Sequence, residues 1–242
     1  MSSKSPVAFI GLGAMGSGMC ANVVRKHGGR VSVFDLNPDA VAAQVAHGAV
    51  EAASVGAVVH EAEVVFLSLH GGRQVAAVCE EIANNGQPGA VVIDLSTTSV
   101  ADARAVAEML ARHDIAFADA PVARARQAAV DGTLSIMVGA SEALFARIRP
   151  LLAYMASDVT HCGDVGCGQV VKLINNTLLF EQVAAIAEMM VVAERAGVAP
   201  ETLIAAVGLG SGNSFALQNH AKKAMAPRDF PEKAFPSPYV LK

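Results

Sequence analysis

The chain has 242 residues, 53% of them hydrophobic and 17% charged, so it can bury one large core or, as read here, two. A net charge of −4 without a basic cluster, and no tryptophan, argue against nucleic acid or an anionic membrane surface as partner. Apolar runs are interrupted by Gly, Glu or Asn short of the roughly 20 residues that cross a bilayer. The four cysteines form no CxxC pair, so no metal site is expected and free thiols in a reducing cytoplasm are.

Val7-Ala8-Phe9-Ile10 is a short apolar run with β-branched ends, the pattern of a buried parallel strand; it is read as this rather than as part of a leader peptide. Gly11-Leu12-Gly13-Ala14-Met15-Gly16 follows and opens a helical stretch that ends near glycines 28 and 29. A second strand, Val31–Phe34, runs into Asp35, 19 residues after Gly16. A GxGxxG pattern alone is weak. Between a strand and a helix, with an acidic residue closing the next strand, it is the dinucleotide fingerprint. Gly11 serves the tight turn, Gly13 lets backbone approach a pyrophosphate, and Gly16 lets helix and strand pack closely. Asp35 is placed to accept ribose hydroxyls and to repel a 2′-phosphate. Leu36 and Asn37 supply no arginine for one, so NAD is favoured over NADP.

The alternation of strand and helix continues. Helix is expected over 40–47, 75–84, 100–112 and 141–152, and strand over 49–50, 64–69, 90–94, 115–118, 135–138 and 159–162. Ser96-Thr97-Thr98-Ser99 follows a strand, where its hydroxyls can cap the next helix or contact a cofactor. The segment between Val122 and Gly132 reads as a polar stretch. These elements make an α/β domain, residues 1–162, with a doubly wound Rossmann-type sheet.

A second domain, residues 163–242, reads as all helical. Its first helix, 166–197, holds no proline and would be roughly 45 Å long at about 1.5 Å per residue. Its apolar residues fall on almost every face, so it is expected to be buried by protein all round. Lys172 and Asn176, four residues apart, share one face near its start. Helices over 200–207 and 214–225 follow, and prolines break up the tail.

Four blocks in order resemble the β-hydroxyacid dehydrogenase family, which includes 3-hydroxyisobutyrate dehydrogenase and tartronate semialdehyde reductase. These are Phe9–Gly16 of the glycine turn, Asp119-Ala120-Pro121-Val122 with Gly132-Thr133-Leu134, Gly166–Asn176, and Ser211-Gly212-Asn213-Ser214 with Leu241-Lys242. The resemblance implies NAD-dependent interconversion of a short hydroxy acid and its semialdehyde by a homo-oligomer. It implies Lys172 as catalytic acid and base, Asn176 on the substrate side, and cofactor contacts from Leu69, Thr97 and Lys242. Relatives run some tens of residues further, so the second domain reads as incomplete beside theirs. They also carry Ser-Gly-Gly where this chain has Ala123-Arg124-Ala125. That exchange is expected to cost close backbone approach and to add, in Arg124, a guanidinium for the substrate acid. Arginine at this position is shared with a subgroup resembling sulfolactaldehyde reductase, so a sulfonate is an alternative substrate. Imine reduction and non-catalytic nucleotide binding are further alternatives.

Overall fold

Short β-branched runs become strands here because both faces of the sheet are covered. The computed structural model describes residues 5–230; Lys242 lies outside them. In chain order its elements are β1 (Val7–Ile10), α1 (Gly16–His27), β2 (Val31–Phe34), α2 (Pro38–Ala46), β3 (Val50–Glu51), α3 (Val55–Val59), β4 (Val64–Leu67), α4 (Gly72–Asn85), β5 (Val91–Asp94) and α5 (Val100–Ala111). Then come β6 (Ala116–Asp119), β7 (Val122–Ala123), α6 (Ala125–Asp131), β8 (Leu134–Gly139), α7 (Glu142–Leu152), β9 (Ala156–Gly163), α8 (Cys167–Arg195) and α9 (Pro200–Gly208). A π-helical segment, Leu217–Met225, stands where the last α-helix is expected.

Among the described residues the strands form one sheet in the order β3-β2-β1-β4-β5-β6-β8-β7, with β9 beside β8. From β3 to β6 it is parallel; β8 runs antiparallel to β6 and β7. The Rossmann-type reading therefore holds, with a mixed far edge. Alternate strand residues feed opposite faces. Val7 and Phe9 join Met19, Val23, Ile136 and Ile148 in one core, while Ala8 and Ile10 join Val65, Ile82, Val92 and Leu110 in the other. The chain leaves β1 for β2 on one side and returns as β4 on the other. That reversal opens a crevice beyond the carboxyl ends of the strands, the usual ligand position in such sheets.

The chain divides into two units between Lys172 and Leu173, so the first turns of α8 belong with the sheet. In the second unit Met190, Ile204, Leu217 and Ala221 form a small core of their own. The expectation that the long helix is buried on every side is not met. Over residues 173–195 only Met190 is fully buried, and Ile174, Leu178, Met189 and Val192 are more than half exposed. Helix propensity and composition set how long α8 is, but the other helices of its unit cover only one of its faces.

Candidate active site at the carboxyl edge of the sheet

The glycine turn is built as the spacing requires. Gly11 has φ +93°, and a Cβ there would collide with the carbonyl oxygen of Ser68 just beyond β4. Leu69 closes over the same glycine, its own N–H donating to Ser96 Oγ at 2.9 Å. A Cβ on Gly13 would meet nothing within 4 Å, so backbone there faces open space. That space continues as a cavity of about 310 Å³ lined by Leu12, Gly13, Ala14 and Asn37, among others. Met15 precedes α1, whose first turn holds no acidic side chain. These features suit a nucleotide phosphate at the helix start.

Asp35 is half-buried beside the turn. Its carboxylate accepts the N–H of Leu12 at 2.5 Å and the N–H of Asn37 at 2.8 Å. It therefore braces the glycine turn, one oxygen on each side of the bend.

Two strand ends link this turn to the start of α8. β5 ends at Asp94 and β6 at Asp119, paired in register. Asp119 Oδ1 accepts from the N–H of Gly166 at 2.7 Å, and its Oδ2 from the N–H of Gln169 at 2.8 Å. Two of the unpaired amides that every helix start carries are thus satisfied by a carboxylate remote in sequence. Gln169, fully buried, takes the N–H of Thr98 on Oε1 at 3.1 Å and donates through Nε2 to the Ser96 carbonyl at 2.9 Å. Its amide clamps both sides of Thr97, which is half-buried between them. Nothing in the spacing singles out Asp119 or Gln169 for these tasks, although both lie in the quoted blocks.

Burial pushes the Asp94 carboxyl up to about 7, helped by the neighbouring Asp119 charge and opposed by bonds from Ser96. Asp119 is also raised by burial, against the amides of Gly166 and Gln169 that favour its charge. Asp94 Oδ2 has no partner among the described residues, whereas both Asp119 oxygens accept helix-start amides.

Lys172 lies one turn beyond Gln169 and is half-buried; burial lowers its pKa. Asn176 follows one turn later, its Oδ1 accepting from Asn175 Nδ2 at 3.3 Å.

Ala123 ends β7, opposite Ser135. Arg124 and Ala125 then take φ of +84° and +59°. Both are left-handed backbone, the region glycine favours, and here two non-glycine residues hold it where β7 passes into α6. The Arg124 guanidinium is ion-paired. Its Nη1 reaches Asp158 Oδ2 at 2.6 Å, Ser157 Oγ at 2.8 Å and the Thr133 carbonyl at 3.1 Å.

Two family models match the chain. The NAD-binding domain of 6-phosphogluconate dehydrogenase matches residues 6–163, and the NAD-binding model of NADP-dependent 3-hydroxyisobutyrate dehydrogenase matches 166–237. These matches, with dehydrogenase relatives along most of the chain, define an NAD(P)-dependent oxidoreductase acting on a CH–OH group. The chain belongs to the β-hydroxyacid dehydrogenase family. It is 37% identical to the 2-(hydroxymethyl)glutarate dehydrogenase of Eubacterium barkeri, covering 95% of this chain and 77% of that one. It is 39% identical to the 3-hydroxyisobutyrate dehydrogenase of Pseudomonas aeruginosa, over 87% and 72%. The solved Mycobacterium tuberculosis 3-hydroxyisobutyrate dehydrogenase with L-serine superposes with a TM-score of 0.86 at 37% identity, over 90% and 75%.

Proposed function

We propose that the chain interconverts a short-chain 3-hydroxy acid and its semialdehyde, with NAD preferred to NADP and Lys172 as general acid and base. When bound, the nicotinamide supplies the hydride acceptor or donor. Lys172 takes the hydroxyl proton during oxidation, returns it during reduction, and stabilises charge on that oxygen. The observation that carries this reading is its setting. An amine whose pKa burial has lowered stands one turn past the residue that clamps the Thr97 loop to α8.

Asn176, one turn on, orients the substrate. All three Arg124 contacts fall on Nη1, so the Nε–Nη2 edge is the one that can meet a carboxylate or sulfonate, beside Ala123. Asp35, followed by Leu36 and Asn37, supports NAD. The unpaired thiols of Cys20, Cys79, Cys162 and Cys167 suit a reducing cytoplasm.

The test is Lys172→Ala assayed with small acid semialdehydes, sulfonate analogues and cyclic imines, alongside NADH binding. The variant should bind NADH as the parent does and lose about 10²- to 10⁴-fold in turnover. Undiminished turnover would remove Lys172 from the mechanism, and turnover of imines alone would replace the substrate class.

A further inference from the structure

We infer that Arg126, which sequence alone leaves as a solvated loop charge, is a phosphate-binding residue of the nucleotide site. It sits on α6, the short helix not expected from the sequence, and that helix is locked onto α1. Asn22 is fully buried and donates through Nδ2 to the carbonyls of Ala129 at 2.9 Å and Val130 at 3.0 Å. Gly18 makes the close approach possible, since a Cβ there would come within 2.9 Å of the Ala129 carbonyl carbon. α6 therefore lies across the first turns of the helix that follows the glycine turn.

The consequence is where Arg126 ends up. It forms a third wall of the cavity whose other walls are Leu12, Gly13 and Ala14 on one side and Asn37 beyond β2 on another. The guanidinium makes no ion pair or hydrogen bond among the described residues. Leu12, Gly13 and Ala14 line the same cavity just before α1, where Met15 makes no side-chain cap and the first turn holds no acidic side chain. A cavity at a helix start, with an unpaired guanidinium in its lining, suits a phosphate. Two phosphates of a nicotinamide dinucleotide qualify: the pyrophosphate, against Gly13, and a 2′-phosphate, on the Asn37 side.

This inference rests on the cofactor use of the family, and its test separates the two. Binding of NADH and NADPH is measured by fluorescence for the parent, Arg126→Ala, Arg126→Lys and, as a same-charge control, Arg112→Ala just past the end of α5. Arg126→Ala should weaken binding about ten- to a hundredfold, with Arg126→Lys between it and the parent and Arg112→Ala unchanged. Equal loss for both nucleotides assigns Arg126 to the pyrophosphate; loss for NADPH alone assigns it to the 2′-phosphate. A folded Arg126→Ala protein binding both as the parent does overturns the assignment. A parent that binds neither nucleotide overturns the cofactor use and Arg126 with it.

Discussion

Asp94 has a place at a strand end because its backbone completes β5, not because a buried carboxyl is favourable there. One oxygen takes the Ser96 N–H and the other has no partner, and burial holds the group protonated up to about pH 7. An unfolded aspartate ionises near pH 3.9. Below that, both states carry the proton and Asp94 costs nothing. As pH rises towards 7 only the unfolded state releases it, so folding stability falls; above about 7 the loss is complete. Asp94→Asn should remove this decline, because its amide cannot ionise and its Oδ1 can still accept from Ser96. Urea unfolding from about pH 4 to about pH 8 measures it, and parallel curves for variant and parent would refute it. At the same scale, Arg124 and Ala125 show what a residue code conceals. Where relatives have glycines, these two adopt left-handed backbone under constraint from β7 and α6. The identity of a residue states a preference; its neighbours decide whether the preference is met.

Among the elements, α8 is the one whose start matters most. Asp119, from the end of β6, takes the N–H groups of Gly166 and Gln169 there. Asp119→Asn preserves volume but turns an NH₂ towards one of those amides. Stability should drop by about 1–2 kcal/mol. On the role proposed for Lys172, a small tilt of α8 would misplace its amine, so kcat should fall about tenfold or more. The dissociation constant for NADH should hold, since the glycine turn is untouched. Equal loss in nucleotide binding and kcat would mean that Asp119 acts on the sheet as a whole rather than on α8. Most elements are legible in the sequence, because four-residue apolar runs between glycines and helical periods carry their own signal. α3, β7 and α6 are not, since two to seven residues are too few for a period to emerge.

For the whole molecule, the outward face of α8 is the feature that a single chain leaves unexplained. At 100° per residue, Val171, Ile174, Leu178, Ala185, Met189 and Val192 fall in one stripe, nearly opposite the face of Lys172, Asn176 and Met190. All six are exposed, Ile174 by 54% and Val192 by 57%. By length and composition alone α8 could cross a bilayer, with a mean hydropathy of 1.3 in its most apolar stretch. The spacing of 3, 4, 7, 4 and 3 is instead that of a helix meeting a second helix, and a second copy supplies one by symmetry. The chain should therefore associate in buffer without detergent. Light scattering should give a mass of at least twice 24.8 kDa, and Leu178→Glu with Met189→Glu should lower it. A monomer at every concentration would refute this.

The amino-acid order alone determined the Rossmann-type sheet, the glycine turn, Asp35 and the helix bearing Lys172, because each is written in contiguous residues with a local period or a fixed spacing. Tertiary structure decided what depends on segments far apart in the chain. Asp119 caps α8 across 47 residues, Asn22 holds α6 across 107, and Arg126 reaches the glycine turn only because of that hold. Hydrogen bonds of this kind act through space and leave no period in the sequence, so only the folded chain brings their partners together.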